Sequence, residues 1–370
     1  MLRRKSFQRV GFCVLLGLGA LLAGAKAPER RLQPEPGVTG VDWKGSQFIR
    51  SDAAGRVFLF RGDEPAVYPI TKTGEIGKPE SLQTANESLG HVLDVALSPG
   101  GDRWLVRGEG RVRLFVEGKE KTLPPMDWLP WSIGFVRDTP VVAVVPRPLP
   151  AGVLHLDDLG NVPWLVTLDN DRWSTLARLS DLSAETAWKE RSRFNQWVTE
   201  YAVFLAADRE GKLWAANQYA YRVRRLSGAG RNLLDIASTQ EEEAPPKAPP
   251  SAAVVAATRK AETEGAKFTP FTERPVIADL VEGRDHAIYL LVHTPGEGTL
   301  ALDRYDSVRG VVERAPLEMH GTGRFTLAAG KDGLYLAPYD APEGVRKLSW
   351  ESLQGAAWKE IDSIKVQGGK

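Results

Sequence analysis

An all-β chain arranged as a six-bladed β-propeller is predicted by three features of the sequence. These are its turn-rich composition, a recurring strand–turn–strand unit, and the wide, regular spacing of that unit. The 36 glycines and 25 prolines among 370 residues make up about a sixth of the chain, above the usual share of about an eighth. A chain with that many turn formers suits short antiparallel strands better than a helical bundle.

The units follow one another from Gly40 onward. Phe48–Phe60 is the first, with Asp52–Gly55 as its turn, and Leu93–Val106 is the second, turning at Ser98-Pro99-Gly100-Gly101. A third, Ile133–Val145, replaces the glycine turn by Asp138-Thr139-Pro140. Val203–Ala216 is the fourth and clearest, and Ile277–Leu290 and Phe325–Leu336 complete the set. From Gly55 to Gly333 the mean interval is about 56 residues, slightly longer than the 40–50 or so of propeller blades. Third strands follow as Arg111–Val116, Arg222–Leu226, Leu300–Tyr305 and Val345–Leu348, alternating apolar and charged residues as half-exposed outer strands do. The first strands are apolar on both faces, as expected when each sheet is buried between two others. Pro163–Leu168 also reads as a strand and leaves room for a seventh blade.

Two insertions account for the long interval. Residues 174–196 show helical spacing of apolar positions with few turn signals, and residues 241–271 open with a charged, proline-rich run that predicts a disordered insertion. Residues 38–366 are otherwise expected to form a single propeller domain.

The first 27 residues read as an export signal. Arg3, Arg4, Lys5 and Arg9 precede an apolar run from Val10 to Leu22, and Ala23-Gly24-Ala25 or Ala25-Lys26-Ala27 offers the small residues of a cleavage site. A run of about 13 residues is short of the roughly 20 that span a bilayer, which disfavours a retained anchor. A periplasmic or secreted location is therefore expected, with no membrane span after cleavage. Cleavage removes five cations and no acid, leaving 43 cations against 47 acids in the mature chain. That balance, like the net charge of +1 for the whole chain, disfavours nucleic acid as a partner. Cys13 is the single cysteine and lies inside the apolar run, so the mature chain has no thiol for a disulfide, a zinc cluster or nucleophilic catalysis.

Asp208-Arg209-Glu210-Gly211 followed by Leu213-Trp214 and then Tyr221-Arg222-Val223 resembles the NHL-repeat and streptogramin-lyase-like propellers, in which an Asp-x-x-Gly turn precedes an aromatic strand and an Arg-Val pair. The resemblance is good over residues 203–226 and rests on period elsewhere, and it implies the fold. The related gluconolactonase-like propellers hold a divalent metal on their axis, partly through an Asp five residues before the turn aspartate, followed by Gly. Here those positions are Val203 and Phe204.

Other chemistry has little foothold. The five histidines show no zinc spacing, there is no Gly-x-Ser-x-Gly elbow, and Gly228-Ala229-Gly230 lacks the third glycine of a dinucleotide fingerprint. Asp169-Asn170-Asp171 lacks the glycine and glutamate of a calcium loop. The ligand-binding candidates are polar residues at the starts of first strands, Asp94, Glu200 and Asp279, with His320 near the sixth blade and Trp131 in a connecting segment. Carboxylates converging on the axis would suit Ca²⁺ or Mg²⁺, whereas isolated ones would cap turns; no cofactor is otherwise expected. The motif-poor sequence points to a module that binds a protein, peptide or glycan partner. The alternative is a metal-dependent hydrolase or lyase, lactonase-like, with its site on the axis.

Overall fold

A computed structural model describes residues 31–38, 47–62, 64–84, 89, 91–108, 110–145, 163–179, 201–239, 276–294, 298–321, 324–339 and 344–368. The leader at 1–27 and the insertion at 241–271 lie outside the described residues. Strand β1 (Glu35–Pro36) precedes the first blade. Blade I is β2 (Gln47–Ser51), β3 (Val57–Arg61), β4 (Ala66–Ile70) and β5 (Glu80–Ser81). Blade II is β6 (Val92–Leu97), β7 (Arg103–Arg107), β8 (Arg111–Val116) and β9 (Lys119–Lys121). Blade III is β10 (Leu129–Val136), β11 (Thr139–Val145), β12 (Pro163–Asp169) and β13 (Arg172–Arg178). Blade IV comprises β14 (Val203–Ala207), β15 (Leu213–Asn217), β16 (Arg222–Leu226) and β17 (Asn232–Ser238). Blade V comprises β18 (Ile277–Glu282), β19 (Ile288–His293), β20 (Thr299–Asp306) and β21 (Val311–His320). Blade VI is β22 (Phe325–Ala329), β23 (Gly333–Pro338) and β24 (Arg346–Ser349), and β1 supplies its fourth strand, with Glu35 opposite Lys347.

After β24 a short helix, α1 (Trp350–Gln354), capped by Ser349, turns the chain outward. The tail then adds β25 (Lys359–Glu360) to the outer edge of blade V and β26 (Ile364–Gly368) to that of blade IV. Both additions cover sheet edges that would otherwise expose unpaired backbone groups.

Six apolar clusters fill the six junctions between neighbouring blades. In β3, Phe58 and Phe60 pack toward blade II, while Val57 and Leu59 pack toward blade VI. The period-two alternation of a strand sends successive side chains to opposite faces, and both faces here meet another sheet. This is why the inner strands read as mostly apolar runs.

The hairpin turns repeat one geometry. Gly55, Gly101 and Gly211 donate their N–H to Asp52, Ser98 and Asp208 carbonyls, and all three glycines have positive φ. In the fourth blade the Asp208 carboxylate also accepts from Lys212 N, Trp214 Nε1 and the Arg225 guanidinium. The Asp-x-x-Gly turn, the aromatic strand and an arginine on the third strand are thus one hydrogen-bonded unit.

Pro163–Leu168 is the third strand of blade III, so it founds no seventh blade. Ser174–Arg178, expected to start a helical segment, belongs to β13; the rest of that segment lies outside the described residues. The register between β12 and β13 shifts between Leu165 and Val166, leaving Leu176 unpaired. Such a bulge breaks strict alternation, and it spaces Trp173, Leu176 and Ala177 as a helix would. No helix among the described residues is long and apolar enough to cross a membrane.

Candidate functional site on the propeller axis

The inner strands β2, β6, β10, β14, β18 and β22 surround the axis in sequence order. Each presents one residue there, three positions before the strand's end, or four in β10: Phe48, Asp94, Ser132, Phe204, Asp279 and Thr326. In three of these strands the register with the neighbour shifts one residue earlier, at Leu93, Trp131 and Ala278. A bulge re-aims the side chain that follows it, and the residues that follow are Asp94, Ser132 and Asp279.

Polar side chains on these strands latch five of the six junctions, all but that between blades IV and V, where the residue is Phe204. Asp94 Oδ2 accepts from Ile133 N at 3.0 Å, Asp279 Oδ2 from Leu327 N at 2.8 Å, and Thr326 Oγ1 from Ile49 N at 3.1 Å. Ser132 Oγ donates to the Val203 carbonyl at 2.5 Å. At the first junction the latch is Arg50, whose Nε donates to the Val95 carbonyl at 2.8 Å.

Arg50 also holds the two axial aspartates together. Its Nη2 lies 2.7 Å from Asp94 Oδ1 and its Nη1 lies 2.9 Å from Asp279 Oδ2, so one guanidinium spans blades I, II and V. The carboxylates are almost fully enclosed, with side-chain exposures of 2% and 4%. Burial works to lower the Arg50 guanidinium, but the charges of Asp279 and Asp94 and their hydrogen bonds hold it above its ordinary value. Burial pushes the Asp279 carboxyl upward, against the opposing pull of Arg50.

A second arginine, Arg324, lies just ahead of β22 at the end of the axis where the inner strands begin. Its Nη1 donates to the Leu93 carbonyl of blade II. Its guanidinium carbon stands 5.0 Å from the Phe204 ring centroid, 5.4 Å from Tyr339 and 5.6 Å from Phe48, a three-sided cation–π box. Arg324 Nε and Nη2 are buried without a hydrogen-bond partner, the nearest carboxylate oxygen being Asp94 Oδ1 at 4.0 Å.

The two ends of the axis differ. Where the inner strands finish, tight turns join every first strand to its second. The 146–162, 180–200 and 240–275 connections all attach at the opposite end, beside Val145 and Pro163, Leu179 and Tyr201, and Thr239 and Val276.

Of the residues singled out in the sequence, Asp94 and Asp279 are brought together, bridged by Arg50. Trp131 sits in β10 rather than in a connection; it is the bulged residue and packs, half-buried, against the blade III–IV core. His320 is exposed at the end of β21, opposite Thr299 on the outer part of blade V. It is remote from the axis because β21 runs ten residues before the chain turns back to β22. Glu200 lies outside the described residues. The sequence reading missed Arg50, Arg324, Ser132 and Thr326; aligning the inner strands on their turns would have exposed the column that holds the last two.

The residues present do not fit an axial divalent cation as they stand. All four oxygens of Asp94 and Asp279 already accept from Arg50 or from backbone N–H groups, through Leu280 N in the case of Asp279 Oδ1. A guanidinium occupies the place between them, and among the described residues no group of three potential ligands could hold a metal.

The fold is a six-bladed β-propeller closed around this axis. Among solved structures, a Bacteroides thetaiotaomicron protein of unknown function matches with a TM-score of 0.50 and 9% identity, over 86% of this chain and 75% of its own. Virginiamycin B lyase from Staphylococcus aureus, as a catalytically inactive variant with quinupristin, has a TM-score of 0.44 at 13% identity over 84% and 82%. A putative gluconolactonase has 0.46 at 11% over 90% and 94%. No family model and no curated protein matches the chain.

Proposed function

We propose that the chain is an exported binding propeller that engages a protein, peptide or glycan partner at the end of the axis where the inner strands begin. The observation that carries this reading is the inequality of the two ends. The three longest connections attach at that end, the end at which Arg324 stands among Phe48, Phe204 and Tyr339. Binding residues gather on loops presented by a rigid scaffold, and the latched inner strands are such a scaffold. The axial carboxylates, being committed to Arg50, serve cohesion in this reading rather than catalysis.

A photo-crosslinking residue placed at Tyr219 or Thr294, beside the loop-bearing end, should capture a partner from an extract of the protein's own compartment. The same probe at Asp138 or Asp171, in the tight turns of blade III, should not. Equal capture from both ends, or turnover of lactone or ester substrates that is lost with the axial residues, would overturn the assignment.

A further inference from the structure

Arg324 carries hydrogen-bonding capacity that the protein itself does not use. Its Nη1 donates to the Leu93 carbonyl, but Nε and Nη2 are both buried and have no acceptor. These two nitrogens form one edge of the guanidinium, whose parallel N–H groups match the two oxygens of a carboxylate. The chain uses that edge in this way elsewhere. Nε and Nη2 of Arg113 take Glu120, those of Arg222 take Asp235, and those of Arg314 take Asp303. Among the described residues Arg324 is the one arginine whose whole edge is buried and unpaired. Asp94 Oδ1 stands 4.0 Å from Nη2, outside hydrogen-bond reach, and Asp94 is held where it is by Arg50 and Ile133 N. Buried N–H groups on a charged side chain that have lost water without gaining an acceptor are destabilising.

The walls around this edge replace a contact that holds the ring together. Phe204 stands where Asp94, Ser132, Asp279 and Thr326 stand in other blades, and its junction is tied away from the axis instead. There Tyr221 O–H donates to Asp303 at 2.7 Å and Arg209 N to Glu282 at 2.8 Å. Phe204, with Phe48 and Tyr339, shields the guanidinium from water, which strengthens an ion pair made there. We propose that the Nε–Nη2 edge of Arg324 receives the C-terminal carboxylate of a partner peptide. The assignment rests on the reading of this end of the axis as the binding end. The Arg324 side chain is only 17% exposed, so the group that reaches it is the slim end of a chain. A uronate carboxylate, by contrast, is attached to a pyranose ring whose hydroxyls need room beside it.

The test immobilises the full chain and measures retention of a degenerate hexapeptide pool, labelled at its N-terminus, as the free acid and as the C-terminal amide. The free acid should be retained about tenfold more strongly or better, the effect of a charge-assisted pair of hydrogen bonds. Arg324→Lys keeps the charge but not the two-pronged edge. It should weaken retention of the acid about tenfold and leave that of the amide unchanged. The comparison of acid with amide on the unaltered protein carries the test even where the variant folds poorly. Equal retention of the two pools, retention of neither, or equal retention of an amidated pool with one internal Glu overturns the proposal. A uronate trisaccharide that competes better than the free-acid pool overturns it too, by giving the edge to a glycan. Partner capture at Tyr219 or Thr294 that persists unchanged in Arg324→Lys would overturn this assignment alone, whereas no capture at that end would overturn the binding end with it.

Discussion

Replacing Arg50 by methionine removes the guanidinium that hydrogen-bonds both enclosed carboxylates, leaving only Arg324, 4.0 Å from Asp94. The guanidinium contacts them at 2.7 and 2.9 Å, which places the charge centres about 4 Å apart, where each attraction is worth about 4 kcal/mol at an effective dielectric of about 20. Desolvation of three ions offsets much of that gain, and the net loss on removing one partner of a buried ion cluster is about 3–5 kcal/mol. The loss has a pH signature. Burial already raises the Asp279 carboxyl, with Arg50 opposing the rise, so removing Arg50 raises it further. A carboxyl raised in the folded state holds its proton more tightly than in the unfolded chain. Its contribution to stability is therefore full below the unfolded value and is lost as pH climbs through the folded one. The deficit of Arg50→Met should thus be largest near pH 7.5 and shrink as pH is lowered toward 5. Urea unfolding of both proteins at several pH values measures it. A triple variant, Arg50→Met with Asp94→Asn and Asp279→Asn, should regain most of the loss, because neutral amide oxygens can still accept from Ile133 and Leu327. A deficit below about 1 kcal/mol, the level of an exposed pair, or one that does not vary with pH, would refute the account of the axis.

Gly211→Val should destabilise by more than about 1 kcal/mol, since φ there is +72° and a Cβ would meet Arg137 Cγ at 2.7 Å; an unchanged melting temperature would contradict this. Asp208→Ala strands Trp214 Nε1 and leaves Arg225 only the exposed Glu210, and should cost about 1–3 kcal/mol, read by denaturant midpoint. Ending the chain at Ala357 uncovers the edges of blades IV and V and should promote self-association, visible as a rise in mass by light scattering against the intact chain. Deleting residues 31–38 removes β1 and the buried Leu32 and Val38, worth about 1.5–3 kcal/mol per side chain, and should lower the melting temperature more than deleting residues 1–30.

The hairpins were legible because their turns have a local cause: Asp, Ser and Gly at fixed positions close the same loop whatever lies around them. The inner strands were legible because burial on both faces leaves mostly apolar residues. Strands β1, β5, β25 and β26 were not, for they are two to five residues long and are specified by the backbone edge they meet, not by side-chain pattern. The closing strand begins at Glu35, ahead of the boundary placed at Val38. Asp94 and Asp279 stood out as carboxylates in apolar strands, yet their partner did not. Arg50 stood next to a turn and resembled any exposed cation, and its reach across the axis to blade V depends on a ring closure that no local window contains. The bulges that turn Asp94, Ser132 and Asp279 inward are equally invisible, since a bulge is a relation between two strands.

The positions of the chain ends shape how this molecule can be assembled. The front of the chain finishes the last blade, and the back of it finishes two blades already passed. The pairings that complete these blades therefore join residues far apart in sequence, Glu35 with Lys347 and Leu234 with Gly368. Contacts of such separation carry the largest loop-closure cost and form slowly. Until blade VI is available, the faces of blades I and V that it packs against stand open to solvent. A chain interrupted before blade VI is made would be an open arc whose exposed sheet faces can find another copy more readily than themselves.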